Sequence, residues 1–241
     1  LLAPFRRRPG AYLLLGLVGI GGFNLLFFYA LQSTSSTNAA LIMATNPLLT
    51  TLIAALILGE RPSGRQIAAL PLALIGVVVV ISGGSLARIA ALEVADGDLL
   101  MLGADLVWAL YNVLARRYMP AASPISNTTL MMGAGALMLL SVAVIDGGRF
   151  NLPSGTASAA LLLMALGGTV LAYLFWNRAV AMVGAEQSGV FIHLMPAFGL
   201  ILSALLLGEQ ITAADLFGLA LILCGLVVAA GRLPLRKRRA T

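Results

Sequence analysis

Long apolar stretches alternate with short polar segments along almost the whole chain. A helix needs about 20 mostly apolar residues to cross roughly 30 Å of hydrocarbon. Stretches of that length are far longer than strands, and the ten-residue alternation of membrane β-barrels does not occur. The pattern therefore predicts an all-α membrane protein, a polytopic helical bundle. Its eight crossings are predicted at residues 11–32, 36–58, 65–82, 97–115, 125–145, 158–180, 186–207 and 212–231.

Turn and capping residues separate the predicted helices. Ser63 and Thr212 each precede a helix and are followed three residues later by Gln66 and Asp215, the spacing of a capping box. Residues 83–96 form the one connection of any length between helices. We therefore expect no inserted soluble domain.

The composition excludes several classes of protein. Of the 241 residues, 60% are hydrophobic and 10% are charged, whereas a soluble domain carries roughly 25% charged residues. A soluble domain, a disordered chain and a nucleic-acid-binding module are thus excluded despite the net charge of +6. The lipid bilayer is the predicted partner. Cys224 is the single cysteine, so no intrachain disulfide forms.

Basic residues fall on one side of the predicted topology. If every apolar stretch crosses, twelve lie on that side and two, Arg88 and Arg149, lie on the other. The positive-inside rule then places both ends of the chain in the cytoplasm. The twelve residues are Arg6, Arg7, Arg8, Arg61, Arg65, Arg116, Arg117, Arg232, Arg236, Lys237, Arg238 and Arg239.

The chain contains an internal repeat. A shift of 149 residues gives 15 identities over the 62 positions from 19 to 80. Leucine matches are common in such a composition, so the informative matches are those of glycine, proline and Gly-Glu. They are Gly19 with Gly168, Pro47 with Pro196, Gly59-Glu60 with Gly208-Glu209, and Gly76 with Gly225.

Three helices of the first copy match the last three of five helices in the second. We therefore expect about 50 further residues before residue 1 and ten helices, five plus five, in the whole protein. An odd number of helices per copy inverts the second copy, and inverted repeats place a substrate site between the halves. The predicted parts are the first half at 1–83, the second half at 96–232 and a basic tail at 233–241.

Short motifs in both halves resemble those of EamA-type transporters of the drug/metabolite transporter superfamily. They are Leu58-Gly59-Glu60 and Leu207-Gly208-Glu209 at helix ends, Gly76 and Gly225 in the following helices, Phe28-Tyr29-Ala30-Leu31, Asn38-Ala39-Ala40-Leu41-Ile42 through Pro47, and Trp108-Ala109-Leu110-Tyr111. The resemblance implies an inner-membrane carrier, often an exporter of amino acids or other small metabolites. No cofactor is expected, and no Cys/His/carboxylate spacing predicts a metal site.

Asp105 is the first candidate for solute binding. A carboxylate near the bilayer centre costs about 2.5–3.5 kcal/mol, so it should face protein or water. Trp108 and Asn112 follow at i+3 and i+7 on the same helix face. Acid, aromatic and amide on one stripe suit a small amphiphilic solute. The alternative is that Asp105 only bonds a neighbouring helix.

His193 is the only histidine and precedes Pro196 by three residues. Because histidine titrates near neutrality, His193 and Asp105 are the candidates for proton coupling. Contact with the solute and a purely structural hydrogen bond are the other two interpretations of His193. Pro47 and Pro196 are predicted near the middle of their helices, where they free the carbonyls of Met43 and Ile192 and act as hinges or as a packing kink.

Polar and aromatic residues recur at matching mid-helix places in the two halves. Asn24 matches Tyr173 and Phe28 matches Asn177, each spaced i, i+4 along one face, and Asn46 precedes Pro47. A shared central surface is one interpretation, and interhelical hydrogen bonds are the other. The candidate solute-binding residues are therefore Asp105, Trp108, Asn112, Asn24, Phe28, Asn46, Tyr173, Asn177 and His193.

Glu60 and Glu209 each lie at a helix end beside a short turn. We expect them to be structural, accepting hydrogen bonds from the backbone amides of the next helix. The function predicted overall is a secondary transporter, an exporter of a small organic metabolite, that works by alternating access with proton coupling. An intramembrane enzyme and a non-transporting partner subunit are the alternatives, and a second copy of the chain is a candidate partner.

Overall fold

The computed structural model describes residues 2–87, 95–147, 154–171, 175 and 195–230, and every regular element among them is a helix. The stretches Gly16–Gly22 and Met164–Leu171 are π-helical. In chain order the helices are α1, Leu2–Arg7; α2, Pro9–Ala30; α3, Ser36–Met43; α4, Asn46–Leu58; α5, Gly64–Ser82; α6, Asp96–Tyr118; α7, Pro124–Ile145; α8, Gly155–Leu163; α9, Met195–Leu207; and α10, Ala213–Ala230.

Four of the described helices are long and apolar enough to cross a membrane, namely α2, α5, α6 and α7. The pair α3 and α4 makes a fifth crossing if it is taken as one bent span. These five match the first five predicted crossings. Helices α9 and α10 are apolar and shorter, and the predicted sixth and seventh crossings lie partly outside the described residues.

The predicted helix 36–58 is interrupted, which corrects the sequence-based expectation of one continuous helix. Helix α3 ends at Met43, α4 begins at Asn46, and the two are bent by 41°. Pro47 is accordingly the second residue of α4 and not a mid-helix residue. At that position the missing N–H has no helical partner to lose, so proline favours a new helix start.

The contacts divide the chain into two compact units, residues 1–141 with 196–241 and residues 142–195. In the first unit, buried aliphatic residues of α3, α5, α6 and α10 form the main core. Apolar side chains also cover the outside of this unit; Leu56 of α4 is 85% exposed and Leu137 of α7 is 66% exposed. Exposed apolar surface on this scale is suited to lipid contact.

The second compact unit comprises residues 142–195. Within its described part, α8 and the π-helix that follows it carry exposed leucines, of which Leu163 is 73% exposed. A helix that exposes apolar side chains on this scale is suited to lipid as well. This agrees with the sixth predicted apolar stretch.

Helices α5 and α10 pack closely along a line of small residues. A Cβ atom placed on Gly76 would lie 2.7 Å from Ile222 Cγ1 and 2.9 Å from the Gly218 carbonyl oxygen. A Cβ placed on Gly225 would lie 3.1 Å from the Ala69 carbonyl oxygen. The lower-numbered end of α5 thus meets the higher-numbered end of α10, so the two helices run antiparallel. Glycine allows this backbone approach, as in other membrane helix pairs.

Helices α2 and α7 form a second close contact. A Cβ on Gly16 would lie 2.6 Å from the Met131 carbonyl oxygen, which only glycine permits. Nearby, Tyr12 is fully buried and its hydroxyl donates a hydrogen bond of 2.6 Å to Asn127 Oδ1. The Asn127 amide in turn donates to the Pro120 carbonyl at 3.0 Å. A polar tie therefore fixes the start of α2 against the start of α7.

Both predicted helix caps are confirmed. Ser63 Oγ accepts from the Gln66 amide at 3.3 Å, and the Gln66 side chain accepts from the Ser63 amide at 2.7 Å. Thr212 and Asp215 make the equivalent pair of bonds at the start of α10, at 3.3 and 2.8 Å. The capping box thus recurs at equivalent positions of the two halves.

Candidate functional site

The centre of the candidate site is the carboxyl group of Asp105, in the middle of α6. Its side chain is fully buried. Asp105 Oδ1 accepts a hydrogen bond of 2.7 Å from Asn46 Nδ2, and Oδ2 lies 3.0 Å from the Thr45 hydroxyl. The partners belong to the first half of the chain and Asp105 to the second. Both carboxylate oxygens are therefore held across the two halves by neutral donors.

The interruption between α3 and α4 brings these donors to Asp105. Thr45 lies between the two helices, and its hydroxyl is 2.8 Å from the Ile42 carbonyl oxygen as well as 3.0 Å from Asp105 Oδ2. Asn46 is the first residue of α4, and its amide also donates to the Asp105 carbonyl oxygen at 3.1 Å. Because the helix restarts here, polar groups gather inside the membrane where protein partners satisfy them.

The predicted stripe on α6 divides between two clusters. Asn112 joins the polar cluster, since its amide donates to Asn46 Oδ1 at 3.2 Å, and the Thr50 hydroxyl donates to the same oxygen at 3.2 Å. Trp108 joins an aromatic cluster, with ring centroids 4.9 Å from Phe23 and 5.1 Å from Tyr111. The stripe thus presents one polar and one aromatic surface side by side.

The other candidates are placed less centrally. The Asn24 amide donates to the Ile20 carbonyl of its own helix at 2.7 Å, at the end of the π-helical stretch. Phe28 is 49% exposed and packs edge-on against Phe27 at 5.7 Å. Among the described contacts, none joins Asn24 or Phe28 to the polar cluster around Asp105. Tyr173, Asn177 and His193 lie outside the described residues.

Pro196 corresponds to Pro47 in the second half. Pro196 lies in the described part of α9, where it is buried. Its repeat mate Pro47 lies in the first turn of α4 and is exposed. The hinge function of both prolines stays a prediction.

Glu209 joins the halves at one end of the first compact unit, which we name the Glu209 end. Its Oε1 accepts from the Ser36 amide at 2.9 Å, and Oε2 accepts from the amide and hydroxyl of Thr37 at 3.0 and 2.7 Å. These amides open α3, where the helix dipole favours an anion. The sequence correctly placed Glu209 at a helix terminus but named the wrong helix, because α10 is capped by its own Thr212.

The pKa of Glu209 is shifted by this environment. Partial burial of Glu209 disfavours the charged form, but the hydrogen bonds from Thr37 and Ser36 outweigh that effect. The pKa of Glu209 therefore lies below the ordinary glutamate value. Ionised Glu209 is the form that holds α3.

An open cavity and a second carboxylate accompany Glu209. The cavity measures about 310 Å³, and its polar lining includes Asn38, Glu209, Gln210 and Asp215. Asp98, at the start of α6, accepts hydrogen bonds from the Thr34 hydroxyl and from Asn38 Nδ2. The Glu209 end is thus held by two acidic residues of the second half bonded to the first half.

The opposite end of this unit, which we name the Glu60 end, is held by an ion pair. Glu60 pairs with Arg116, the side chains being 46% and 52% exposed, respectively. Arg117 Nη1 also donates to the Ile57 carbonyl at 3.3 Å. A cavity of about 120 Å³ lies beside the pair. The expected amide partners of Glu60 are not among its described contacts, because Gln66 caps the next helix. An exposed ion pair contributes only about 0–1 kcal/mol.

Sequence reasoning missed Thr45, Asp98 and Arg116 as partners. Thr45 precedes Asn-Pro, a sequence that favours a helix start, so the interruption at Thr45 could have been predicted. Asp98 and Arg116 carry no local signal that distinguishes them from charges at ordinary helix ends. In the described part of the chain, no group of three His, Cys, Asp or Glu residues lies close enough to hold a metal ion.

Helices apolar and long enough to span a membrane, with a buried polar cluster between the two halves, define a polytopic helical membrane protein. Comparison with known proteins gives the family. The chain belongs to the EamA-like transporter family, whose model matches residues 2–82 and 95–231.

Two curated relatives and one solved structure illustrate the relationship. The "Uncharacterized transporter YyaM" of Bacillus subtilis is 37% identical over 229 residues, which are 94% of this chain and 74% of that protein. A "Probable terminal-alkyne amino-acid exporter" of Streptantibioticus cattleyicolor is 26% identical over 242 residues, 98% of this chain and 79% of that one. A crystal structure at 22% identity covers 90% of this chain and 75% of its own with a TM-score of 0.58, which supports the fold alone.

These names favour a transporter over an intramembrane enzyme. They agree with the class that the apolar helices and the buried polar cluster define.

Proposed function

We propose that the protein is an exporter of a small organic solute that carries an amino group, of the amino-acid class. It works by alternating access between its two halves in the inner membrane, with both ends of this chain in the cytoplasm. The observation that carries the proposal is the carboxyl group of Asp105, held between the halves by neutral hydrogen-bond donors.

The depth of Asp105 supports a solute site. It is the tenth residue of α6, counted from Asp96, so it lies about 14 Å along the helix at 1.5 Å per residue. That is close to half of a hydrocarbon core of roughly 30 Å. Sites of inverted-repeat carriers lie near this depth, between the halves.

The hydrogen bonds of Asp105 can be exchanged for a solute. Thr45 and Asn46 offer neutral donors, whereas an ammonium group offers charge-assisted bonds, which are roughly twice as strong. A solute ammonium that reaches Asp105 can therefore displace these donors and loosen the junction between the halves. Binding and conformational change would then be coupled through a single carboxyl group.

The aromatic cluster suits the rest of such a solute. The rings of Phe23, Trp108 and Tyr111 form one cluster, and Trp108 shares a face of α6 with Asp105 and Asn112. Aromatic rings bind apolar side chains and attract cations at their faces. The relative named as an amino-acid exporter agrees in chemistry with this arrangement.

Proton coupling is the remaining part of the proposal. Asp105 is the group that meets the solute, so a proton and a solute ammonium compete for the same carboxylate. His193 is the one histidine of the chain, and histidine is the side chain that ordinarily titrates near neutrality. An inward proton would release the solute from Asp105 on the outer side.

The test is transport in proteoliposomes by the complete protein, with radiolabelled amino acids offered as a panel. We expect Asp105→Asn to lower the initial rate about tenfold or more, because the charge-assisted bond is lost. Asp146→Asn is the control, since Asp146 is exposed beyond the end of α7. Equal rates for Asp105→Asn and the unmodified protein, at equal amounts of folded protein, would remove Asp105 from the mechanism.

A further inference from the structure

We infer that Glu60 and Glu209 are two opposed gates, each closing one end of the solute path by bonding its own half of the chain to the other half. Glu60 belongs to the first half and pairs with Arg116 of the second. Glu209 belongs to the second half and bonds the start of α3 in the first. The inference rests on the proposed alternating access and names the contacts that must open in turn.

The two glutamates are equivalent residues. A shift of 149 positions places Glu60 on Glu209, each directly after a glycine of positive φ, Gly59 at 67° and Gly208 at 68°. Glycine adopts this backbone conformation readily, so each helix ends before its glycine and the glutamate follows outside the helix. Equivalent turns in oppositely directed copies lie at opposite ends. One sequence motif therefore serves both ends.

The Glu209 gate consists of several bonds in a partly buried setting. Ser36 donates one hydrogen bond to Glu209 and Thr37 donates two, all between 2.7 and 3.0 Å. Asp98 adds bonds from Thr34 and Asn38 on the same end. Opening this end requires these bonds to break together.

The Glu60 gate is weaker. Its ion pair joins two side chains that are each about half exposed, 46% for Glu60 and 52% for Arg116. Exposed ion pairs gain little because water and salt screen them. The Glu60 end should therefore open before the Glu209 end. In the predicted topology the Glu60 end is cytoplasmic, so an unloaded carrier would face the compartment from which an exporter collects its solute.

Two buried residues can report on the gates separately. Val80 lines the cavity at the Glu209 end and Ala54 lines the cavity at the Glu60 end, and each is only 2% exposed. We would place Val80→Cys or Ala54→Cys in a Cys224→Ser background and measure the rate of maleimide labelling in lipid nanodiscs. Both membrane faces are then open to the reagent, and no solute is needed.

The expected results are specific to each end. Glu209→Gln should raise the labelling of Val80→Cys about fivefold or more and leave Ala54→Cys unchanged, and Glu60→Gln should do the reverse. Without a gate substitution, Ala54→Cys should react faster than Val80→Cys. A change at neither reporter, or an equal change at both reporters in each variant, overturns the inference.

Matched controls separate bridging from a change of charge. Asp215 lines the same cavity as Glu209 but bonds Thr212 of its own segment, so Asp215→Asn should not change the labelling of Val80→Cys. Arg61→Gln is the equivalent control beside Glu60. If the controls raise labelling as much as the gate variants do, the inference is wrong.

A charge-swapped pair and a cross-link between the halves distinguish the loss of a gate from a folding defect. The swapped pair Glu60→Arg with Arg116→Glu should return the labelling of Ala54→Cys to the original rate, which a general loosening would not. A bifunctional thiol cross-linker between Thr37→Cys and Glu209→Cys should stop transport until it is cleaved. If Glu60→Gln and Glu209→Gln leave the labelling unchanged while Asp105→Asn loses transport, the gates are ruled out and the proposed exporter stands. If the gate variants change the labelling as expected while Asp105→Asn transports normally, the proposed solute site is ruled out and the gates stand.

Discussion

Gly76 and Gly225 make equivalent contacts from the two sides of the α5–α10 pair. A Cβ on Gly76 would lie 2.9 Å from the Gly218 carbonyl oxygen, and one on Gly225 would lie 3.1 Å from the Ala69 carbonyl oxygen. Gly218 and Ala69 are themselves related by the 149-residue shift. The contact therefore reproduces itself when the two helices are exchanged, and the helices run antiparallel. This is the arrangement that an inverted repeat predicts.

The first prediction concerns this contact. Gly76→Ala should lower the free energy of unfolding by about 1–3 kcal/mol, because the new methyl group would overlap backbone atoms of α10. Gly225→Ala should cost less, since its nearest contact is 3.1 Å. Gly133→Ala in α7 is the control, because a Cβ there meets nothing within 4 Å. Unfolding in detergent measures all three, and equal stabilities would contradict the close approach.

The second prediction concerns the tie between α2 and α7. Tyr12→Phe removes the hydroxyl that donates to Asn127 Oδ1 at 2.6 Å and leaves that buried oxygen without this donor. We expect a loss of about 1–3 kcal/mol in the free energy of unfolding. Tyr29→Phe should leave stability nearly unchanged, since Tyr29 is 44% exposed. The comparison fails if both variants unfold alike.

The third prediction is a pH dependence at the Glu209 end. The pKa of Glu209 is lowered in the folded protein, so its contribution to stability is present above the ordinary glutamate pKa. That contribution is lost as the pH falls through the lower folded pKa. The Tm difference between the unmodified protein and Glu209→Gln should therefore be largest at neutral pH and should shrink at acid pH.

The acidic neighbours of Glu209 provide the control for this experiment. Asp98 and Asp215 lie at the same end, and both are present in the unmodified protein and in Glu209→Gln. Their effect on Tm therefore cancels in the difference between these two proteins. The Tm of Asp215→Asn measures the effect of one of them directly. A Tm difference that stays constant from neutral to acid pH would contradict the assigned hydrogen bonds of Glu209.

The fourth prediction concerns His193. If His193 takes part in proton coupling, His193→Gln should flatten the pH dependence of transport near neutrality, because glutamine does not titrate. The measurement is the initial rate of solute efflux from proteoliposomes between about pH 5.5 and 8. An unaltered pH profile rejects coupling through His193 and leaves Asp105 as the proton-binding group.

Local patterns allowed much of the fold to be predicted. Apolar length located the first five crossings, and the Ser-x-x-Gln and Thr-x-x-Asp spacings located two caps, because both depend on neighbours in sequence. The i, i+7 spacing of Asp105 and Asn112 correctly predicted a shared polar face. Such features follow from helix geometry alone.

Features that depend on distant partners were not predictable in the same way. The sequence placed Asp105 in the middle of a helix but gave no reason to choose Thr45 and Asn46 as its partners, which lie about 60 residues away. It also treated 36–58 as one helix, because the length of the apolar stretch was given more weight than the Thr45-Asn46-Pro47 signal for a new helix start. The partner of Glu209 was missed for the same reason, since α3 lies 172 residues earlier.

The interruption after Met43 has a mechanical consequence. Helix α3 has eight residues and is therefore about 12 Å long, less than half the thickness of the hydrocarbon. A helix this short can tilt by rotation about a few dihedral angles at Ala44 and Thr45, while the longer helix α4 keeps its packing. A displacement of α3 at one leaflet then need not reach the other leaflet.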